Sequence, residues 1–274
     1  MRRGLALRMA VLALVAPLLA GCAALQRVDG VRTQFVALRY IATARDLTKS
    51  HPLDRPKVKR YLDRAVALRP NDSQVLESAS GLYIGIDDYA AALTQLDQIA
   101  RLTGGTNQVL RGQCLLMTGK REQGRALLYE AVKVAEVRAM RHMISSQGLA
   151  ITLNGAGYTM ADAGIDLDNA SRMIDTAVRL APLVPAFTDS LGWVLYRKGE
   201  YKRAAFYLER AVRQMEGPPD AALYYHLGMA YSALGKRFWA ERALGQALEI
   251  DPQNAQAEDA LRRLRYELPL PNRV

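Results

Sequence analysis

The chain has 274 residues, half of them apolar and 7% aromatic, which is enough material for a folded core and excludes a disordered tail. Its formal charge of +10 arises from 37 basic and 27 acidic residues scattered along the sequence, and a diffuse charge of that size does not point to nucleic acid. Two cysteines and three histidines exclude a disulfide scaffold and a four-thiolate zinc site, and nothing in the sequence calls for a metal or another cofactor. The chain opens on Arg2, Arg3 and Arg8, followed by an apolar run from Met9 to Ala20 broken at Pro17. A basic start and a short apolar stretch have the form of a secretory signal, and the run is shorter than the roughly 20 residues that span a bilayer.

The end of that run is Leu19-Ala20-Gly21-Cys22, which resembles the lipobox of bacterial lipoproteins. The resemblance implies a signal peptide over residues 1–21, removed before Cys22, with the Cys22 sulfur and amine acylated. More than one acyl chain holds a protein stably on a membrane, each buried methylene contributing about 0.8 kcal/mol. Ala23, which is not aspartate, implies the outer membrane rather than the inner one. Residues 22–38 are then a lipidated tether and the start of the first helix. The rest of the chain is expected outside the cytoplasm, facing the periplasm, and it carries no phosphate-binding loop of the G-x-x-x-x-G-K-[ST] type.

A helical pattern follows over residues 31–49, closed by His51-Pro52. Beyond it the same signals recur. Leu62, Ala65 and Pro70 come first, then Asp88-Tyr89, Ala92, Leu96 and Ile99. Gly112, Gly119, Gly124, Leu128 and Ala131 fit more loosely. Lys133–Gln147 stands apart as a surplus stretch, a lengthened helix or an irregular joint, with a basic edge at Lys133, Arg138 and Arg141 that suits a solvated face. Ala156-Gly157 is followed by Ala170, Ile174, Ala177 and Pro182, with one extra residue in the turn Ala163–Asp166. The clearest pair comes last: Leu191-Gly192 with Ala204, Leu208 and Ala211, then Leu227-Gly228 with Ala240, Leu244, Ala247 and Pro252. Asn254–Leu268 is apolar at Ala257, Leu261, Leu264 and Leu268 and charged elsewhere, as a capping helix should be.

This recurrence resembles the tetratricopeptide repeat, a helix–turn–helix unit of 34 residues. The resemblance implies an all-α, right-handed superhelical solenoid of about six units plus a C-terminal cap helix. The array spans 39–254, with units starting near 39, 73, 105, 150, 185 and 221, an irregular joint at 133–149, and the cap helix and tail at 255–274. Glycine inside a helix costs about 0.5–1 kcal/mol. Gly112, Gly157, Gly192 and Gly228 are therefore expected where the second helix of a unit comes too close for a side chain.

In this repeat family the first helices line the inner face and bind protein or peptide partners. The matching positions here are Asn154, Tyr158 and Ala161, then Asp189, Trp193 and Tyr196, then Tyr225, Met229 and Ser232, with Val109, Gln113 and Leu116 upstream and Glu77, Gly81 and Ile84 before them. Aromatic residues with a few polar groups suit a binding surface, although Trp193 and Tyr225 fit an inter-repeat core equally well. The lysine–asparagine clamp that some relatives use for a terminal carboxylate is absent from these positions. Enzyme chemistry finds no constellation. Cys114 sits beside Leu115 and Leu116 as a buried structural thiol would, and the histidines lack ligand spacing. Asp162, Asp166 and Asp168 lack the glycine and glutamate of a calcium loop, and Asp166 or Asp168 suits a helix cap. The expectation is a non-catalytic, membrane-anchored scaffold for other proteins at the bacterial envelope, in assembly of a pilus, secretion or outer-membrane complex. A protease adaptor or a structural spacer is the alternative.

Overall fold

Aspartate and asparagine start helices in this chain, and left-handed residues turn one helix into the next. The computed structural model describes residues 30–49 and 53–266. Cys22, the leader at 1–21, the tether up to residue 29 and the tail at 267–274 lie outside the described residues. Helix α1 covers residues 30–47. It is followed by α2 (Arg55–Leu68), α3 (Ser73–Gly85), α4 (Tyr89–Thr103), α5 (Gln108–Met117), α6 (Arg121–Met140) and α7 (Ser146–Asp162). Then come α8 (Leu167–Leu180), α9 (Pro185–Arg197), α10 (Tyr201–Gln214), α11 (Ala221–Ala233), α12 (Arg237–Ile250) and α13 (Ala255–Tyr266). No strand occurs among the described residues.

The caps explain several boundaries. Asp72 accepts from the Gln74 and Val75 backbone N–H groups, Asp88 from Ala91, Asn107 from Leu110 and Asp220 from Ala222. Each satisfies an N–H that the first helical turn leaves without a partner. Within a helix pair the turn is closed by a bond spanning five residues. Lys120 N donates to Leu115 O at 2.8 Å, Glu200 N to Leu195 O at 2.9 Å and Lys236 N to Tyr231 O at 2.9 Å. This closure requires one left-handed residue, supplied by Gly119, Gly199 and Gly235. In the α3–α4 turn that place is taken by Asp87 at φ +62°, which pairs with Arg55 at 2.7 Å. Gly199→Ala is expected to cost about 1–2 kcal/mol, since a Cβ in the left-handed region is strained even where space is open. A urea midpoint unchanged in Gly199→Ala would contradict that account of the turn.

The described chain forms two units, each built of helix pairs. The first runs to Gly105 and holds α1 to α4. Its core includes Ile41, Leu62, Leu76 and Tyr83. Tyr83 is buried, donates from its hydroxyl to Asp63 Oδ1 at 2.6 Å and lies under the Lys59 ammonium, 5.2 Å from the ring centroid. Burial pushes the Tyr83 hydroxyl well above its usual range, and Asp63 adds to it.

The second unit starts at Thr106 and holds α5 to α13. Four hairpins follow one another, and the first helices α5, α7, α9 and α11 touch in succession. Gly192 and Gly228 have the close approach expected of them: a Cβ built on either lies 2.5 Å and 2.6 Å from Cγ of Leu208 and Leu244. The last pair is closed by α13, where Ala257 and Leu261 pack with Leu244 and Ala247.

Three details refine the sequence reading. Helix α1, expected over 31–49, runs over residues 30–47. Most of the surplus stretch at 133–149 is regular helix: α6 continues to Met140 and α7 begins at Ser146. No Gly or Pro lies between Lys133 and Gln147 to stop α6 earlier, and the chain then turns on His142 at φ +54°. Asp166 holds the N-cap position of α8 but makes no side-chain cap bond. Its carboxylate is drawn instead to α6, accepting from the Tyr129 hydroxyl at 3.2 Å and pairing with Arg125 at 3.4 Å.

Candidate functional site

A hollow of about 380 Å³ opens along the first helices of the second unit. Val109 and Gln113 come from α5, Asn154, Gly155 and Tyr158 from α7, Asp189 and Ser190 from α9, and His226 from α11, with Asp220 at the α11 cap. The reason for a hollow here lies in residue size. Gly155, Ser190 and His226 occupy the same register, two residues before Gly157, Gly192 and Gly228. The first two are small and leave space, while the imidazole of His226 closes one end. A Cβ on Gly155 would lie 3.1 Å from Val109 Cγ1, so even one more methyl group would intrude.

An aromatic stack supports that end. Trp193 is 6% exposed and lies nearly parallel to His226, ring centroids 4.2 Å apart, with Tyr196 at 5.1 Å. Tyr225 is tilted against both Trp193 and His226 at 5.9 Å and 5.7 Å. Tyr158 approaches His226 at 6.3 Å. His226 is 3% exposed, and its Nδ1 is 2.9 Å from Asp189 Oδ1. With the carboxylate ionised, Nδ1–H is the donor. Arg197 sits 5.7 Å over Trp193 and donates from Nη1 to the Asp162 carbonyl at 2.6 Å.

The electrostatics are those of a partly dry, acidic site. Burial pushes the Tyr158 hydroxyl well above its usual range, and the carboxylates of Asp162, Asp189 and Asp220 push it further. Burial likewise raises Tyr196 and Tyr225. Among the described residues, Asn154 Oδ1 and Trp193 Nε1 are buried and meet no hydrogen-bond partner.

The residues singled out from the sequence therefore separate. Asn154, Tyr158 and Asp189 line the hollow. Trp193 is buried behind His226 in the stack, and Tyr196 and Tyr225 are half-buried around it. Met229 is half-buried on α11 and does not line the hollow. Sequence reasoning missed His226 as a wall of the site. Its signal was the mismatch in size with Gly155 and Ser190 at the matching register.

Stacked helix hairpins with a lined face along their first helices define a helical-repeat protein of the kind that presents an extended surface. Residues 221–254 match the family profile described as "Tetratricopeptide repeat". A TPR repeat-containing protein of Pseudomonas aeruginosa is 39% identical over 79 residues, which take in 29% of this chain and 13% of that protein's length. The fold is similar to a tetratricopeptide repeat protein from Parabacteroides merdae, with a TM-score of 0.60 at 14% identity, over 77% of this chain and 78% of that one. It is also similar to PilW, a widely conserved type IV pilus biogenesis factor, with a TM-score of 0.55 at 15% identity, over 85% of this chain and 98% of that one.

Proposed function

We propose that the chain is a non-catalytic adaptor of the bacterial cell envelope that binds other proteins along the first helices of its second unit. The hollow between α5, α7, α9 and α11 carries this reading, because it joins partly buried aromatic area to a few fixed polar groups. Cys114 is buried in α5, and the His226 ring is committed to Asp189 and Trp193. Both facts favour binding over hydrolysis. Acylation of Cys22 holds the chain on the periplasmic side of the outer membrane, as the lipobox resemblance implies. Among the fold-level neighbours PilW is a pilus biogenesis factor, so assembly of a pilus or a related envelope complex is the first pathway to look for.

Two measurements test this. Gly155→Met places a flexible side chain in the hollow from a helical position. In affinity purification from crosslinked envelopes, capture of the partners seen with wild type is expected to fall at least ten-fold, with melting preserved. Full capture by the folded variant would remove the hollow as the binding site, and a structural spacer would capture nothing that this variant releases. For the anchor, Cys22→Ser is expected to lose metabolic labelling by an alkyne palmitate and to leave the membrane fraction. Labelling retained by Cys22→Ser would overturn the lipid anchor.

A further inference from the structure

Three carboxylates gather at the hollow of a chain that is basic as a whole. Asp189 and Asp220 line it, and Asp162, one helical turn beyond Tyr158, adds its charge to theirs at the Tyr158 hydroxyl. Among the described residues none of the three is paired with a lysine or arginine side chain. Asp189 meets His226, and Asp220 is turned to the Ala222 N–H. Elsewhere in the same unit several carboxylates are paired with a cation: Asp168 with Lys198 at 2.9 Å, Asp166 with Arg125 at 3.4 Å, and Asp259 with Arg263 at 2.8 Å. The guanidinium at the rim, Arg197, is engaged by the Asp162 carbonyl and the Trp193 ring.

The remaining surface of the hollow suits a positive group as well. Tyr158 and His226 offer ring area, and a cation against an aromatic face gains about 0.5–2 kcal/mol depending on desolvation. Asn154 Oδ1 is an acceptor without a donor. An ammonium or guanidinium brings several N–H groups and no acceptor, so it can bond to carboxylates and amide oxygen together. A neutral or acidic side chain would leave the carboxylates uncompensated.

We propose that the hollow receives the cationic side chain of a lysine or arginine from a partner segment, held by Asp189 and Asp220 beside Tyr158 and His226. This rests on the reading of the hollow as the partner site and names the chemistry it selects. Arginine, as a planar fork, engages two carboxylate oxygens at once, whereas lysine acts as a point charge.

The test is selection of a random decapeptide phage library on the immobilised full chain, followed by sequencing of the pool. Lysine and arginine are expected to be enriched at least three-fold over the starting library. Binding of the pool is expected to fall at least ten-fold on Asp162→Asn/Asp220→Asn, a variant that keeps the α11 cap because asparagine caps as well as aspartate. A pool that is lost on Gly155→Met yet neutral or acidic in composition would overturn the cation and leave the binding site standing. So would a basic pool that binds Asp162→Asn/Asp220→Asn as tightly as wild type. A pool indifferent to Gly155→Met would remove the hollow itself, and this inference with it.

Discussion

Gly157→Ala is expected to lower the stability of the chain by about 1–3 kcal/mol, while Gly245→Ala raises it by about 0.5–1 kcal/mol. Both glycines lie inside helices, α7 and α12, so both substitutions gain the same backbone entropy. They differ in what the new methyl group meets. On Gly157 a Cβ lies 2.6 Å from Ile174 Cγ1 and 2.9 Å from the Ala170 carbonyl oxygen, with nothing within 4 Å on Gly245. Ile174 can turn only within a fully buried site. The carbonyl belongs to the α8 backbone and moves only with its helix. The methyl group therefore separates α7 from α8 and loosens the contacts of Ala170, Ile174 and Ala177 in the core cluster. Urea denaturation of the two variants side by side measures the difference. Equal midpoints would show that the glycine in the first helix is not there for close approach.

That glycine shows what kind of information the sequence carries. Repetition of Gly157, Gly192 and Gly228, with Ala170 and Ala204 downstream, encodes helix-to-helix distance within a hairpin. A missing side chain has few other uses at that spacing. The hollow is less legible because it depends on relations between hairpins. Asn154, Tyr158 and Asp189 follow from helical phase alone, since all face one way on their own helices. Trp193 shares the phase of Tyr158 but is covered, because the next hairpin places His226 4.2 Å from it. No local pattern reports that cover. Asp166 is the same problem on a smaller scale. Its type and position announce a cap, but Tyr129 and Arg125, both on α6, claim its carboxylate. The first unit is less legible for another reason. Its buried Ala37, Ile41 and Ala44 keep helical spacing, but no glycine marks the middle of the helix, so the motif gave no register there.

His226→Ala should then be among the most damaging single truncations in the second unit, at about 3 kcal/mol. Two losses combine. The stack on Trp193 disappears, and aromatic pairs contribute about 0.5–1.5 kcal/mol beyond the area they bury. Asp189, with its side chain 13% exposed, is left as a nearly buried carboxylate whose hydrogen-bond donor has gone. An unsatisfied buried polar group costs about 1–3 kcal/mol, and more when charged. Asp189→Ala leaves the imidazole Nδ1 without a partner and is expected to cost less, because a neutral ring is cheaper to strand than an ion. Removing both partners spares the second penalty, so the double variant should be more stable than the sum of the single losses predicts, by about 0.5–3 kcal/mol. Denaturation of the four proteins in that cycle measures the coupling. Strict additivity would mean that the 2.9 Å contact between His226 and Asp189 contributes nothing, and that packing on Trp193 alone fixes the imidazole at the end of the hollow.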